Sequence, residues 1–184
     1  MLKYWLKIIY HFQIGSKVNN LKTYNHRGML LEKIINNTIS YYLKNKIAYF
    51  NKKSLNIKFK DVDHKNQQQK LNMAFIASKS TVDYYGLYQG QYISFEAKST
   101  ELDTFPLANI KEHQHQHLKL INQFGGWTFY LIFFKKFHRF FLLETTKMEQ
   151  INKKSISINE MERIAIEMEL VFPGIIDFLS CIPY

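Results

Sequence analysis

Apolar positions along the chain follow two periods. Between Gly28 and Lys44, Leu31, Ile34, Ile35, Thr38 and Tyr42 recur at helical spacing and form one apolar stripe. From about Ile110 to Gln123, Gln114, Leu118 and Ile121 share a helix face in the same way, and Gly125-Gly126 stops that helix. Ile47 to Phe50 and Leu55 to Phe59 read as short strands. Trp127 to Phe134 is an unbroken apolar run flanked by glycines, the mark of a strand buried on both faces. Lys135 to His138 turn the chain and Arg139 to Leu143 return it. Residues 157–168 suit a short helix, and Pro173-Gly174 breaks the pattern before the tail. The order helix, strands, helix, strands, helix predicts an α/β domain with a mixed central sheet flanked by helices.

Two stretches carry no such period. Residues 1–25 form an N-terminal arm: Met1 to Ile14 is apolar but interrupted by Lys3, Lys7 and His11, and a polar stretch follows. The arm lacks the clean apolar run and small-residue cleavage site of a secretory signal. Residues 60–70, with Asp61-Val62-Asp63-His64 and three successive glutamines, read either as a loop or as an extension that protrudes from the body.

The length of 184 residues suits a single domain, 1–184, with a sizeable core. A formal net charge of +10 points to a polyanionic partner, nucleic acid before membrane, although a lysine- and asparagine-rich genome would produce a similar bias. The single cysteine, Cys181, excludes an internal disulfide and suits a reducing cytoplasm. No stretch approaches the roughly 20 apolar residues of a membrane span.

The chemistry concentrates in Ser80 to Lys98. Gln89-Gly90 sits between two β-prone runs and suits a two-residue hairpin loop. That loop pairs Tyr88 with Gln91, and continuing the register sets Asp83 opposite Glu96 and Thr81 opposite Lys98. Strand alternation then puts Thr81, Asp83, Glu96 and Lys98 on one face, with Ile93, Phe95 and Ala97 on the other. A bulge at Gly86 would shift this pairing by one residue. Like charges opposite one another destabilise a sheet. A hard divalent cation, Mg²⁺ or Mn²⁺, remedies this and prefers such oxygen ligands. It would activate water and stabilise a phosphate, with Lys98 offsetting the developing charge. The plainer alternative is a surface ion pair of little consequence.

Gln114 lies on the inward face of its helix, where its amide oxygen would add a neutral ligand. His113 and His117, one helical turn apart, lack the third ligand of a zinc site and suit contact with a phosphate backbone better. Arg27 precedes the first helix, where backbone N–H groups favour an anion. Asn51-Lys52-Lys53 and Lys135-Lys136 would add sequence-independent DNA affinity.

These residues, in order, resemble the RecU family of Holliday junction resolvases. The resemblance rests on His26-Arg27-Gly28-Met29-Leu30-Leu31-Glu32, Ile35-Asn36-Asn37-Thr38 and Tyr41-Tyr42. It continues through Ser80 to Tyr84, Phe95-Glu96-Ala97-Lys98, Phe105-Pro106-Leu107, His113-Gln114 and Gly125-Gly126. It implies a homodimer of type II restriction endonuclease-like fold that makes symmetric, Mg²⁺-dependent nicks in four-way DNA junctions during recombination and repair. By position, Thr81, Asp83, Glu96 and Gln114 match the family's metal site and Lys98 its transition-state lysine. Glu32 matches a helix carboxylate near the active site, and residues 60–76 match a stalk that enters the junction centre. A branch-migration motor and a strand-exchange recombinase are partners the family implies. The chain departs from the family where Lys52-Lys53-Ser54-Leu55-Asn56 lacks two prolines and where the stalk is rich in glutamine. Two alternatives to a resolvase are a nuclease of the same fold acting on other DNA and a catalytically silent DNA-binding scaffold. A silent scaffold has no need of Asp83, Glu96 and Lys98 together.

Overall fold

The computed structural model describes residues 29–65, 68–78 and 81–182, so the arm over 1–25 and Arg27 lie outside the described residues. Helix α1 (Met29–Lys44) opens the fold and buries Leu31, Ile34, Ile35, Thr38 and Tyr42, the stripe expected from spacing. Strand β1 (Tyr49–Lys52) follows, then four strands that stand outside the main sheet: β2 (Asn56–Lys58), β3 (Asp61–Lys65), β4 (Gln68–Asn72) and β5 (Phe75–Ser78). Strands β6 (Tyr84–Tyr88) and β7 (Gln91–Thr100) form a hairpin, and the short β8 (Thr104–Pro106) leads to helix α2 (Glu112–Gln123). Next come β9 (Trp127–Phe134), β10 (Arg139–Glu144), the single-turn α3 (Thr145–Met148), β11 (Ser155–Ser157), α4 (Ile158–Ile164) and β12 (Ile166–Met168).

The main sheet has six strands in the order β1-β6-β7-β9-β10-β12. Strands β1, β6 and β7 form an antiparallel meander, β9 joins β7 in parallel, and β10 and β12 continue antiparallel. The parallel pair needs a crossover, and α2 supplies it. One face of the sheet packs Phe50, Tyr84, Phe95, Phe129, Phe133 and Phe140 beneath α1 and the C-terminal segment around Ile176 and Phe178. The other face packs Tyr130, Ile132, Phe134 and Phe141 against Leu118 of α2 and Met161 of α4. Strand β9 is therefore covered on both sides, as its unbroken apolar run required.

The hairpin register agrees with expectation from Tyr88↔Gln91 to Tyr84↔Phe95. Gln89 and Gly90 both adopt positive φ, 47° and 81°, the conformation of a two-residue hairpin turn that matches strand twist. No bulge forms at Gly86. Gly86 instead faces Phe50 across the β1–β6 ladder, and a Cβ there would lie 2.2 Å from the Tyr49 carbonyl oxygen and 2.4 Å from the Phe50 ring. The glycine permits close approach of two strands rather than a kink.

One expectation changes and one open alternative is decided. The helix expected over 157–168 ends at Ile164. Ala165 is extended, and 166–168 become edge strand β12 on β10. Arg139 bonds Glu162 and Glu167, tying that strand down, and Met168 is buried. Of the two alternatives for 60–70, a loop or an extension, the paired one is seen: β3 pairs β4, and β2, within the strand expected over 55–59, pairs β5.

Candidate active site

The carboxylates converge where the β6–β7 ladder runs out. Pairing stops at Tyr84↔Phe95, so Asp83 and Thr81 lie in the bend that enters β6 and are not strand partners of Glu96 and Lys98. Asp83 still reaches the expected place, because its Oδ2 accepts a hydrogen bond from the Ala97 backbone N–H at 3.1 Å. The bend is held from the other side by the Lys53 N–H, which donates to the Asp83 carbonyl at 2.8 Å.

Glu96 is fully buried, beside Tyr130 across the parallel ladder. Its Oε2 accepts a hydrogen bond from Lys98 Nζ at 2.7 Å, and the same ammonium donates to Gln114 Oε1 at 3.0 Å. Its Oε1 is buried with no hydrogen-bond partner. Burial pushes the Glu96 carboxyl up to about 8, and the neighbouring Asp83 pushes it the same way, while Lys98 pulls it down. An unpaired carboxylate oxygen in a dry site is costly and marks a place made for something else.

Gln114 is buried on α2 above the strand, as its helix face required. Beside it, His115 Nδ1 and the Tyr130 hydroxyl lie 2.7 Å apart and lock α2 onto β9. His113 is half-buried on the same helix. Burial depresses the pKa of His117, one turn beyond Gln114, and the charge of Lys53 adds to that effect.

Neighbouring lysines 52 and 53 diverge. Lys52 pairs with Glu32 of α1 and lies opposite Tyr84 in the β1–β6 ladder. Glu32 is half-exposed there, and its charge adds to burial and Asp83 in raising the Tyr84 phenol. Lys53 turns to the site and donates to Thr81 Oγ1, so the Thr81 hydroxyl is engaged by a cation. The two lysines expected to act together thus occupy opposite faces, as alternation along an extended strand dictates. Lys135 and Lys136 pair with Glu101 and Asp103, beyond the far end of the parallel ladder.

A family model described as recombination protein U matches residues 26–184. The chain belongs to the RecU family. Among curated relatives, the Holliday junction resolvase RecU of Mycoplasmopsis pulmonis is 44% identical over 154 residues, 84% of this chain and 92% of that protein. The protein of the same name from Bacillus subtilis is 36% identical over 169 residues, 87% of this chain and 81% of the relative. A solved structure of Archaeoglobus fulgidus Hjc, an archaeal Holliday junction resolvase, aligns with TM-score 0.46 and 10% identity over 74% of this chain and 94% of that one.

For this RecU chain, sequence placed Asp83, Glu96, Lys98 and Gln114 together, and they are together. It missed the Ala97 N–H, which donates to the Asp83 side chain, and the half-burial of His117. A backbone donor leaves no mark in a residue pattern. His117 had one, its place a helical turn beyond Gln114.

Proposed function

We infer that this protein is an endonuclease that resolves four-way DNA junctions by paired, symmetric nicks. The observation that carries this reading is the unpaired Oε1 of buried Glu96, set beside Asp83 and tied through Oε2 to Lys98. A structural ion pair would have satisfied both oxygens.

The donors fit a hard divalent cation. Two carboxylates and an amide oxygen are oxygen ligands, and no cluster of three or more His, Cys, Asp or Glu side chains capable of holding a metal occurs among the described residues. The set therefore suits Mg²⁺, or Mn²⁺ in its place, which keeps several waters, better than a closed cage of protein ligands. Asp83, Glu96 and Gln114 would hold the cation, with Thr81 beside it once Lys53 lets go. When bound, the cation lowers the pKa of a water and offsets charge on the phosphate. Lys98 is fixed by Glu96 and Gln114, so its ammonium is preorganised against charge building on the phosphate oxygens. Burial of Glu96 and Gln114 strengthens the interactions they make.

Two cuts placed symmetrically on a two-fold junction call for a two-fold protein. An apolar surface supports a homodimer. Helix α2 packs on β7 and β9, and among the described residues none of the larger element contacts places a helix on the same face of β1 and β6. Tyr49 and Leu87 face one another there, with Tyr92 next in line, and all three are exposed. Leu120 and Phe124, on the face of α2 that carries His117, are exposed too, Phe124 at 83%. A second copy covering this surface would hide a patch unusual for a monomer. The ribbon over 56–78, with residues 60–76 as its stalk, would enter the junction centre, while the rest of residues 1–184 forms one nuclease domain. Among the described residues no helix is long and apolar enough to cross a membrane. The half-buried free thiol of Cys181 suits the cytoplasm, where junction DNA is found.

The test is direct. The protein with Mg²⁺ should nick opposing strands of a synthetic four-way junction at symmetric positions. A preference for linear duplex over the junction would overturn the reading.

A further inference from the structure

Gln114 stands where a helix is loosest. It lies in the first turn of α2, and Lys111 at the N-cap makes no side-chain bond to that turn. An uncapped first turn has backbone N–H groups without helical partners, and helix ends fray. Of the residues in α2, Gln114 and Leu118 are the buried ones, so the apolar anchor of the helix sits one turn beyond the amide. A polar tie to β9, from Asn122 to Thr128 at 3.4 Å, lies near the far end of the helix.

One contact pins the loose end. His115 Nδ1 and the Tyr130 hydroxyl lie 2.7 Å apart. Tyr130 is fully buried in β9, paired with Glu96 of β7 on one side and with Leu143 of β10 on the other, so its backbone is held from both sides. The contacts close a ring. Glu96 meets Lys98 at 2.7 Å and Lys98 meets Gln114 at 3.0 Å. Gln114 adjoins His115, His115 meets Tyr130, and Tyr130 returns to Glu96 across the parallel ladder. Of these links, His115–Tyr130 is made by side chains that belong to no part of the carboxylate cluster.

We propose that His115 and Tyr130 are positioning residues for Gln114. Their contact sets how closely the first turn of α2 lies on the sheet, and so holds the Gln114 amide oxygen against Lys98 and the cation. The inference rests on the reading of the carboxylate cluster as the metal site. In this role neither side chain touches the metal or the phosphate. When their contact is lost the first turn lifts and the cation loses its neutral ligand, while Asp83, Glu96 and Lys98 keep their places on the sheet.

Mn²⁺ alone, titrated into the full chain without DNA and followed by the electron paramagnetic resonance of the free ion, tests this. Tyr130→Phe keeps the ring and removes only the hydroxyl, so the core stays filled. It should weaken Mn²⁺ binding about tenfold, and His115→Ala should do the same. The double variant should bind no more weakly than the weaker single one, because both side chains serve one contact. His115→Asn returns a polar amide near the position of Nδ1 and should recover part of the affinity, which a loss caused by misfolding would not. Gln114→Ala should weaken binding at least as much, and adding Tyr130→Phe to it should change nothing further. At saturating Mg²⁺ the junction-cutting rate of Tyr130→Phe should return to that of the unmodified protein. Unchanged Mn²⁺ affinity in Tyr130→Phe, losses that multiply when it is combined with Gln114→Ala, or a rate that stays low at saturating metal would each overturn the proposal. Asp83→Asn separates the two readings. If it binds Mn²⁺ as tightly as the unmodified protein, the cluster is not the metal site and both readings fall; if it loses the ion while Tyr130→Phe keeps it, only the positioning role is wrong.

Discussion

The carboxylate of Asp83 accepts a hydrogen bond from the backbone N–H of Ala97, 3.1 Å away. That bond lies just past the last hairpin pair and stands in for it, holding an acid against β7 between Glu96 and Lys98. Asp83→Asn keeps a carbonyl acceptor for the same N–H, so the bend should keep its shape. Cutting should fall about a hundredfold or more, because the charge that would bind the cation is gone. Junction binding measured by gel shift should persist, and the midpoint of thermal unfolding in EDTA should rise as repulsion with Glu96 disappears. An Asp83→Asn protein that cuts at the normal rate would remove this residue from the site.

Glu96 sets the response to pH. Its carboxyl lies at about 8, against an ordinary value of 4.5, because burial and Asp83 disfavour the charged form. The folded state thus binds this proton more tightly than the unfolded state does. Its contribution to stability is fully present below about pH 4.5 and is lost as pH rises through about 8. Thermal unfolding without divalent metal should show that decline, and Glu96→Gln should flatten it. The cation needs the ionised form, so the stabilisation given by Mg²⁺ should grow over the same window. A metal-free protein whose stability does not change between pH 5 and 8 would contradict the burial of this charge.

Lys98 has two effects that one substitution separates from mere packing. Its ammonium lowers the Glu96 pKa and is aimed, with Gln114, toward the site. Lys98→Met keeps most of the volume but removes the charge. Cutting at saturating Mg²⁺ should fall about a hundredfold. The Mg²⁺ concentration giving half the maximal rate should also rise at fixed pH, since Glu96 then ionises less readily. Loss of rate with unchanged metal dependence would leave Lys98 acting on the phosphate alone.

The parts of the fold and site that were legible in sequence share a cause. The α1 stripe, the buried run of β9 and the inward face of Gln114 follow from periodicity, which is a local property. The hairpin register followed from Gln89-Gly90 for the same reason, since turn geometry fixes the strands beside it. What failed was non-local. The end of the ladder at Tyr84 depends on Lys53, just past β1, and the course of 166–168 depends on Arg139 from β10; the choice between loop and extension for 60–70 stayed open because β3 and β4 pair mostly polar residues. The divergence of Lys52 and Lys53 could have been read from alternation, had β1 been carried past Phe50.

Gly86 is a position where the alternative of a bulge is itself testable. A bulge would tolerate a small side chain, whereas a close approach would not. A Cβ at this position would meet the Tyr49 backbone oxygen at 2.2 Å, and backbone cannot swing aside as a flexible side chain can. Gly86→Ala should therefore cost about 1–3 kcal/mol in thermal or urea unfolding. Gly90→Ala, with open space around its Cβ but φ at +81°, should cost less. Equal costs at the two positions would return Gly86 to a purely conformational role.

The apolar surface beside the site gives the last prediction. Phe124 is among the most exposed large apolar residues described, and it shares a helix face with Leu120 and His117. Tyr92 stands near the end of that helix, where a Cβ on Gly126 would lie 3.4 Å from its ring. A charge placed here cannot be buried cheaply against a second copy, yet costs nothing in a free monomer. Phe124→Glu should leave thermal stability at low protein concentration unchanged and shift the sedimentation coefficient from dimer to monomer. Because the patch lies along the strands from Asp83 rather than on it, the substitution spares the ligands themselves. A monomer retains one site, so the two nicks in a junction should become uncoupled, appearing as single-nicked intermediates when a cruciform plasmid is the substrate. A Phe124→Glu protein that remains dimeric and makes paired nicks would move the interface elsewhere on the molecule.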